Sequence, residues 1–404
     1  MKIMNSSKSI YIALIQIAFG LLFGLMLFPS NVKSIVIIVT SIFVLINFFS
    51  SKNTFDKNYF LSNTFYFFVL LFTLLFSNNL DVAFLKIQTM LSLIVFPLIF
   101  SLLNNEAKKR LIKFKINYFW IYIISVVVYN TIPFLWFYSG IPNYSFLGMS
   151  YHLKNFIMNN IGKYGIHPIY MSMHCCIAVI FSIKVFLFIK KKYKKILLLI
   201  LNLIIFFFLL IYARKGPIIA LIITLIFFSY LEYRKYFKYN LILIFGLITL
   251  FSLIPTTRNR FLELSKMSTT TVDGSSSSNI RYTIYNNSIE LIKNAPFLGY
   301  GIGDYQEELN KSYQKNAPIL LEKKYNSHNQ YLGFLLIGGV LLLVSFLSFY
   351  GKKIILAYKT NNTLLISILI FYGVTMLFEN ILERENGVIF FALFINFFSL
   401  KKAK

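Results

Sequence analysis

Apolar residues run along this chain in long blocks, separated by short polar or basic stretches. A helix that crosses a bilayer needs about 20 consecutive, mostly apolar residues, with a range of about 17–25. Blocks that come near this length lie at 10–28, 34–49, 60–76, 82–103, 116–138, 168–189, 196–212, 216–231, 240–254, 329–350, 363–379 and 386–400. The pattern predicts an all-α polytopic membrane helical bundle of about 12 transmembrane helices. The pairs 196–212/216–231 and 363–379/386–400 are short, as for helices that tilt or stop short of the full thickness. The first block follows Lys2 and Lys8, is too long for a signal-peptide core and lacks a small-residue cleavage site. It reads as an uncleaved first span.

Composition agrees with the pattern. Of 404 residues, 57% are hydrophobic, 18% aromatic and 13% charged, where soluble domains carry about 25% charged residues. A soluble globular enzyme, a disordered chain and a disulfide scaffold are all excluded. The two cysteines, Cys175 and Cys176, are adjacent inside an apolar block and point in different directions on a helix. They read as packing residues rather than a bridge, and no zinc-ligand spacing is present.

The net charge of +26 first suggests a nucleic-acid partner, but its placement along the chain explains it otherwise. Alternate gaps between the blocks, counted from the N-terminus, collect 23 basic residues against the acids Asp56, Glu106 and Glu232. The positive-inside rule places those gaps, and both termini, in the cytoplasm. Topology thus absorbs most of the basic excess, and no nucleic acid is needed as a partner.

The opposite face differs. Residues 139–167 form a medium loop and 255–328 a long one. A long loop among short ones usually has a function. The chain divides accordingly into N-terminal spans (1–195), spans seven to nine (196–254), the outer loop domain (255–328) and C-terminal spans (329–404). Within the loop, 268–278 is a Ser/Thr-rich connector. Residues 279–293 then predict a helix, with Ile280, Ile284 and Leu291 near one face and Ile289 and Ile292 beside them; Asn294-Ala295-Pro296 stops it. The turn Gly299-Tyr300-Gly301-Ile302-Gly303 follows a helix, not a strand, so it reads as backbone turning rather than nucleotide binding.

Three residues stand out chemically. Arg214 lies in the tight hairpin Tyr212-Ala213-Arg214-Lys215-Gly216-Pro217. A guanidinium fixed there matches paired phosphate oxygens, with Lys215 adding a point charge. The plainer reading is two cations snorkelling to the interface. Arg281 opens the loop helix, where positive charge is mildly disfavoured unless an anion compensates; the plainer reading is a surface cation. His328 lies where the loop meets the tenth span. Histidine serves as a general base near neutral pH; the plainer reading is a hydrogen-bonded residue at a helix start. Tyr282 and Asn329, beside Arg281 and His328, and His167 at the outer mouth are further candidates to line a site. His152 and His174 are weaker candidates, His174 being read as buried in a span. Glu379, Glu383, Arg384 and Glu385 cluster in the turn between the last two spans, as internal ion pairs or as support for the basic site.

The stretches YARKGPIIALIITLIFF (212–228), RYTIYNNSIELIKNAPFLGYGIGDY (281–305) and SHNQYLGFLLIGGVLLLV (327–344) resemble the O-antigen ligase/polymerase superfamily of bacterial envelope glycosyltransferases. GIHPIYMSM (165–173) and FENILERENGVIFF (378–391) also look like its members. The family usually reads Ser-Arg-Gly at the first arginine; this chain has Ala213-Arg214-Lys215-Gly216. The resemblance implies a multi-pass enzyme of the bacterial inner membrane with a periplasmic active site. It implies that Arg214 and Arg281 bind the diphosphate of an undecaprenyl-diphosphate-linked glycan donor and that His328 is catalytic. The reaction it implies is metal-independent, inverting and free of cofactors. The acceptor is lipid A–core for a ligase, or another lipid-linked glycan for a polymerase. A lipid-linked glycan flippase or other transporter is the reading from another class. It would place key charges near mid-membrane, whereas these lie at the outer edge.

Overall fold

A computed structural model describes residues 2–140, 146–238, 277–322 and 324–400, with isolated positions between 241 and 262. Among the described residues the regular elements are all helical. The ninth predicted span, 240–254, and most of the 268–278 connector lie largely outside the described residues. Each of the other predicted spans falls on helical structure, 82–103 on two short helices in succession. Among the described residues, eight helices are long and apolar enough to cross a membrane, and three shorter apolar ones cover Ile10–Phe23, Thr363–Thr375 and Glu385–Phe398. The chain is an all-α, multi-pass membrane protein. It splits into two compact units, each discontinuous in sequence: residues 1–57, 98–251 and 400–404, and residues 58–97 and 252–399.

In the first unit, α1 (Lys2–Phe23) packs on α2 (Ser30–Ser50). The short helices α3 (Lys57–Phe72) and α4 (Leu80–Met90), which fall in the second unit but for Lys57, and α5 (Ser92–Leu102), whose residues are divided between the units at Pro97, come next in the chain. The 36-residue α6 (Asn105–Gly140) returns to α1 and carries the basic residues Lys108 to Lys115 within its first turns. The medium loop predicted at 139–167 contains a helix of its own, α7 (Phe146–Asn160). The centre of the unit is α8 (Pro168–Phe188), flanked by α6, α9 (Lys192–Tyr212) and α10 (Lys215–Glu232). Pro168 occupies its first turn, where a missing N–H is harmless. Polar side chains tie these helices together. The Tyr122 hydroxyl meets His174 Nδ1 at 2.7 Å, and the Tyr212 hydroxyl donates to Asn130 Oδ1 at 2.6 Å. His174 is 1% exposed, as the sequence suggests, and both cysteines are free and buried.

In the second unit, α13 (Gln330–Lys359) packs on α14 (Thr363–Thr375) and on the loop helix α11 (Ser277–Asn294), which pairs with α12 (Tyr305–Asn316). Against α14 lies α15 (Glu385–Phe398), which also touches α4. Helix α11 starts two residues inside the predicted connector, so Arg281 sits in its second turn rather than at its start. Ile284 is fully buried, but so are Asn287 and Ser288, while Ile289 is 44% exposed. The inner face of α11 is therefore partly polar. Asn287 Oδ1 accepts from Ser312 Oγ at 2.7 Å and from Asn316 Nδ2 at 3.2 Å, which fixes α12 across it.

Helix α13 is broken inside. Gly338 and Gly339 leave helical geometry, Gly339 with φ +59°. Leu336 and Ile337 carbonyls near the break accept hydrogen bonds from the Tyr300 and Gly301 N–H groups at 2.7 and 2.9 Å. In return the Val340 N–H donates to the Pro296 carbonyl at 2.9 Å. The glycine turn predicted from sequence is thus a turn that interlocks with a spanning helix.

Candidate functional site

His328 is held in an unusual backbone state, φ +44°. Left-handed geometry is strained for a residue with a side chain, and such strain clusters at functional positions. Its neighbours supply the restraint. The His328 N–H donates to Asn326 Oδ1 at 3.2 Å, and the Ser327 hydroxyl donates to the Asn329 carbonyl at 3.0 Å. The Asn329 side chain caps α13, its Oδ1 accepting from the N–H groups of Tyr331 and Leu332. That cap explains why Asn follows His at this junction: an Asn at this position satisfies two of the otherwise unpartnered helix-start donors.

The imidazole has a specific partner. His328 Nδ1 lies 3.1 Å from Glu379 Oε2, with the two side chains 23% and 10% exposed. A carboxylate there favours the tautomer with the proton on Nδ1, leaving the Nε2 lone pair free for a proton in transit. Tyr325 packs its ring 5.6 Å from the imidazole. The Tyr285 hydroxyl donates to the Leu377 carbonyl at 2.8 Å, with the His328 carbonyl 3.3 Å away. Burial raises the Tyr285 hydroxyl above its ordinary value, Arg281 and Asn329 pull it down, and Glu379 pushes it up. Arg281, one helical turn before Tyr285, therefore shares an electrostatic neighbourhood with His328 and Glu379. The second unit brings Arg281, Tyr285, His328, Asn329 and Glu379 together. Tyr282 is exposed on α11, next to Arg281 in sequence but about 100° further round the helix.

A polar chain backs this cluster. Asn380 Nδ2 donates to Ser327 Oγ at 2.9 Å and to Glu383 Oε1 at 2.7 Å. Glu383 Oε2 accepts from the Tyr305 hydroxyl at 2.5 Å. Burial, reinforced by Glu383, drives that phenol strongly toward its protonated, donating form. Lys86 Nζ stands 3.7 Å from the centre of the Tyr305 ring and donates to the Ile302 carbonyl at 3.2 Å. Asp304 accepts from the N–H groups of Asn78 and Asn79 at 2.6 and 2.9 Å. The acidic turn at 379–385 therefore orients His328 and Tyr305. Nothing in the sequence paired Glu379 with a residue 51 positions away.

The other basic candidates belong to the first unit. Ala213 caps α9 in left-handed geometry, φ +44°, and its N–H donates to the Leu209 carbonyl at 3.0 Å. Arg214 follows, half-buried in extended backbone, and Lys215 opens α10 with only 6% exposure. The Cys176 thiol donates to the Pro217 carbonyl at 3.5 Å, so the hairpin turn sits beside the middle of α8. His167 is exposed and lies at the start of α8, its Nδ1 accepting from the Ile169 N–H at 3.4 Å. Cys176 is eight residues beyond Pro168, or about 12 Å along the helix at about 1.5 Å per residue. The Pro217 contact therefore lies about 12 Å along the axis of α8 from the helix start beside His167. Among the described residues no group of three or more metal-ligating side chains is assembled.

No curated protein shows significant similarity to the chain. Residues 199–347 match the family model for O-antigen ligase. The match starts in α9, runs through the Arg214 hairpin, Arg281 and the glycine turn, and ends in α13 after His328 and the Gly338–Gly339 break. Over that stretch, about a third of its length, the chain is similar to the O-antigen ligase family, whose members are glycosyltransferase-type enzymes of the ligase/polymerase kind.

Proposed function

We propose that this chain is an O-antigen ligase-like glycosyltransferase. It moves a glycan from undecaprenyl diphosphate to an acceptor hydroxyl, in lipid A–core, on the periplasmic face of the bacterial inner membrane. The observation that carries the reading is the hydrogen bond of His328 to Glu379, in the electrostatic neighbourhood of Arg281, with His328 and Arg281 both inside the stretch that matches the family.

In this reaction the bond between sugar C1 and the diphosphate oxygen breaks while the acceptor oxygen bonds to C1 from the opposite face. His328 Nε2 takes the acceptor's proton as the new bond forms. Glu379, bonded at Nδ1, orients the ring and stabilises the imidazolium that results. The electron pair of the broken bond stays on the leaving diphosphate. Arg281 offers its guanidinium to that growing charge, and fixed cations of this kind are most effective where they need not reorganise. Arg214, with Lys215, binds donor phosphate in the same reading. Diphosphate is a good leaving group, so no nucleotide hydrolysis enters the scheme.

A polymerase would use the same chemistry with a lipid-linked repeat unit as acceptor. Deleting the gene and running the envelope glycolipids on a gel separates the two. Accumulation of finished polymer on its lipid carrier, with bare core, is the expected result. Core bearing a single repeat unit would assign polymerase activity instead, and an unchanged profile would refute both.

A further inference from the structure

We infer that the turn Ala295–Gly303 is a membrane-inserted element, and that Phe297 and Leu298 at its tip contact the hydrocarbon chains of the bilayer. The turn is locked to α13 at the glycine break, through the Tyr300 and Gly301 N–H groups on one side and the Pro296 carbonyl on the other. That break is deep in the span. Gly339 is 13 residues before Lys352, the first basic residue toward the far end of α13, which is about 20 Å at about 1.5 Å per residue. A hydrocarbon core about 30 Å thick, counted from that basic end, contains it.

Side-chain exposure points the same way. Phe297 is 76% exposed and Leu298 48%. The neighbouring exposed side chains on α13 are Val340, Leu341, Val344 and Leu347. The turn thus continues the apolar surface of a spanning helix. In water such a tip would be costly, since a Phe side chain contributes about 1.5–3 kcal/mol when removed from it.

Backbone chemistry supplies the independent argument. Irregular backbone is tolerated at membrane depth only where its polar groups are satisfied within the protein. Here the turn and the broken helix satisfy each other, and the Gly299 N–H donates to the Ala295 carbonyl at 3.1 Å. The glycines make that approach possible. A Cβ on Gly299 would stand 2.6 Å from the Leu336 carbonyl oxygen, and one on Gly339 would overlap the Phe297 carbonyl. The turn's other end is pinned at the rim, where the Gly303 N–H donates to Ser77 Oγ at 3.2 Å.

The test uses full-length protein in proteoliposomes, with Cys175 and Cys176 replaced by Ala and single cysteines placed at F297C, L298C, K293C or K315C. Lys293 and Lys315 are exposed positions outside the turn. With a membrane-impermeant maleimide, F297C and L298C should label at least tenfold more slowly than K293C and K315C. A tryptophan at F297W, in a background with Trp120 and Trp136 changed to Phe, should be quenched by brominated phospholipid and spared by acrylamide. Labelling of F297C and L298C as fast as K293C would overturn the inference. So would protection without bromolipid quenching, which would mean that protein, such as a second copy, covers the tip. Neither readout depends on glycan transfer.

Discussion

His328 combines two roles that pull against each other: its backbone is strained, and its side chain is the proposed base. The φ of +44° would suit glycine, with a left-handed penalty of about 1–2 kcal/mol for other residues. His328→Gly should therefore match or exceed the wild type in thermal stability while losing turnover on the order of 10²–10⁴-fold, the range that general bases supply. Equal turnover in the glycine variant would remove His328 from the chemistry. Glu379→Gln keeps the shape but weakens the hold on Nδ1. It should lower kcat on the order of 10-fold or more, as lost orienting partners do, with donor KM little changed. A rise in KM alone, measured by steady-state kinetics, would assign Glu379 to binding instead. At this scale the sequence revealed the residue types and their order. Arg281 and His328 stood out because one opens a helix in the long outer loop and the other lies where that loop meets a span. The partnership of His328 with Glu379 was not, because the contact spans 51 positions and leaves no local pattern.

At the scale of elements, glycine and proline punctuation was readable but its purpose was not. Pro217 in the first turn of α10 and the stop at Asn294 fall where turn chemistry puts them. Gly299 to Gly303 read only as backbone turning, and Gly338 and Gly339 lay unremarked within an apolar span. Their meaning arises from backbone pairing between the two, which no periodicity records. Gly339→Ala should break the interlock, since the added methyl group meets the Phe297 carbonyl in a left-handed backbone. A loss of about 3 kcal/mol or more is expected, read as a large drop in Tm in detergent. An unchanged Tm would show that the turn and α13 are held by other contacts. The opposite sign is expected at the end of α9. Ala213 occupies left-handed geometry that glycine adopts freely, so Ala213→Gly should raise stability by up to about 1 kcal/mol. The polar inner face of α11 was also missed, because Asn287 and Ser288 look solvent-facing until α12 is placed against them.

At the scale of the whole molecule, the multi-pass architecture was the most legible property. A bilayer admits few solutions: backbone polar groups must be satisfied within each helix, and apolar length is dictated by thickness. The same constraint explains why short or interrupted blocks, such as Thr363–Thr375 and Glu385–Phe398, still form helices. The division into two compact units was not legible, because each unit gathers distant parts of the chain and hydropathy is blind to that. Function enters through the stretch 199–347, which holds both arginines and the histidine. The most direct test is reconstituted protein given a labelled undecaprenyl-diphosphate-linked glycan and a glycolipid acceptor. The label should move to the acceptor with release of undecaprenyl diphosphate, and Arg281→Ala and Arg214→Ala should each slow transfer on the order of 10²–10³-fold. Transfer at the wild-type rate in both variants, or movement of intact donor across the bilayer with no transfer, would contradict the account.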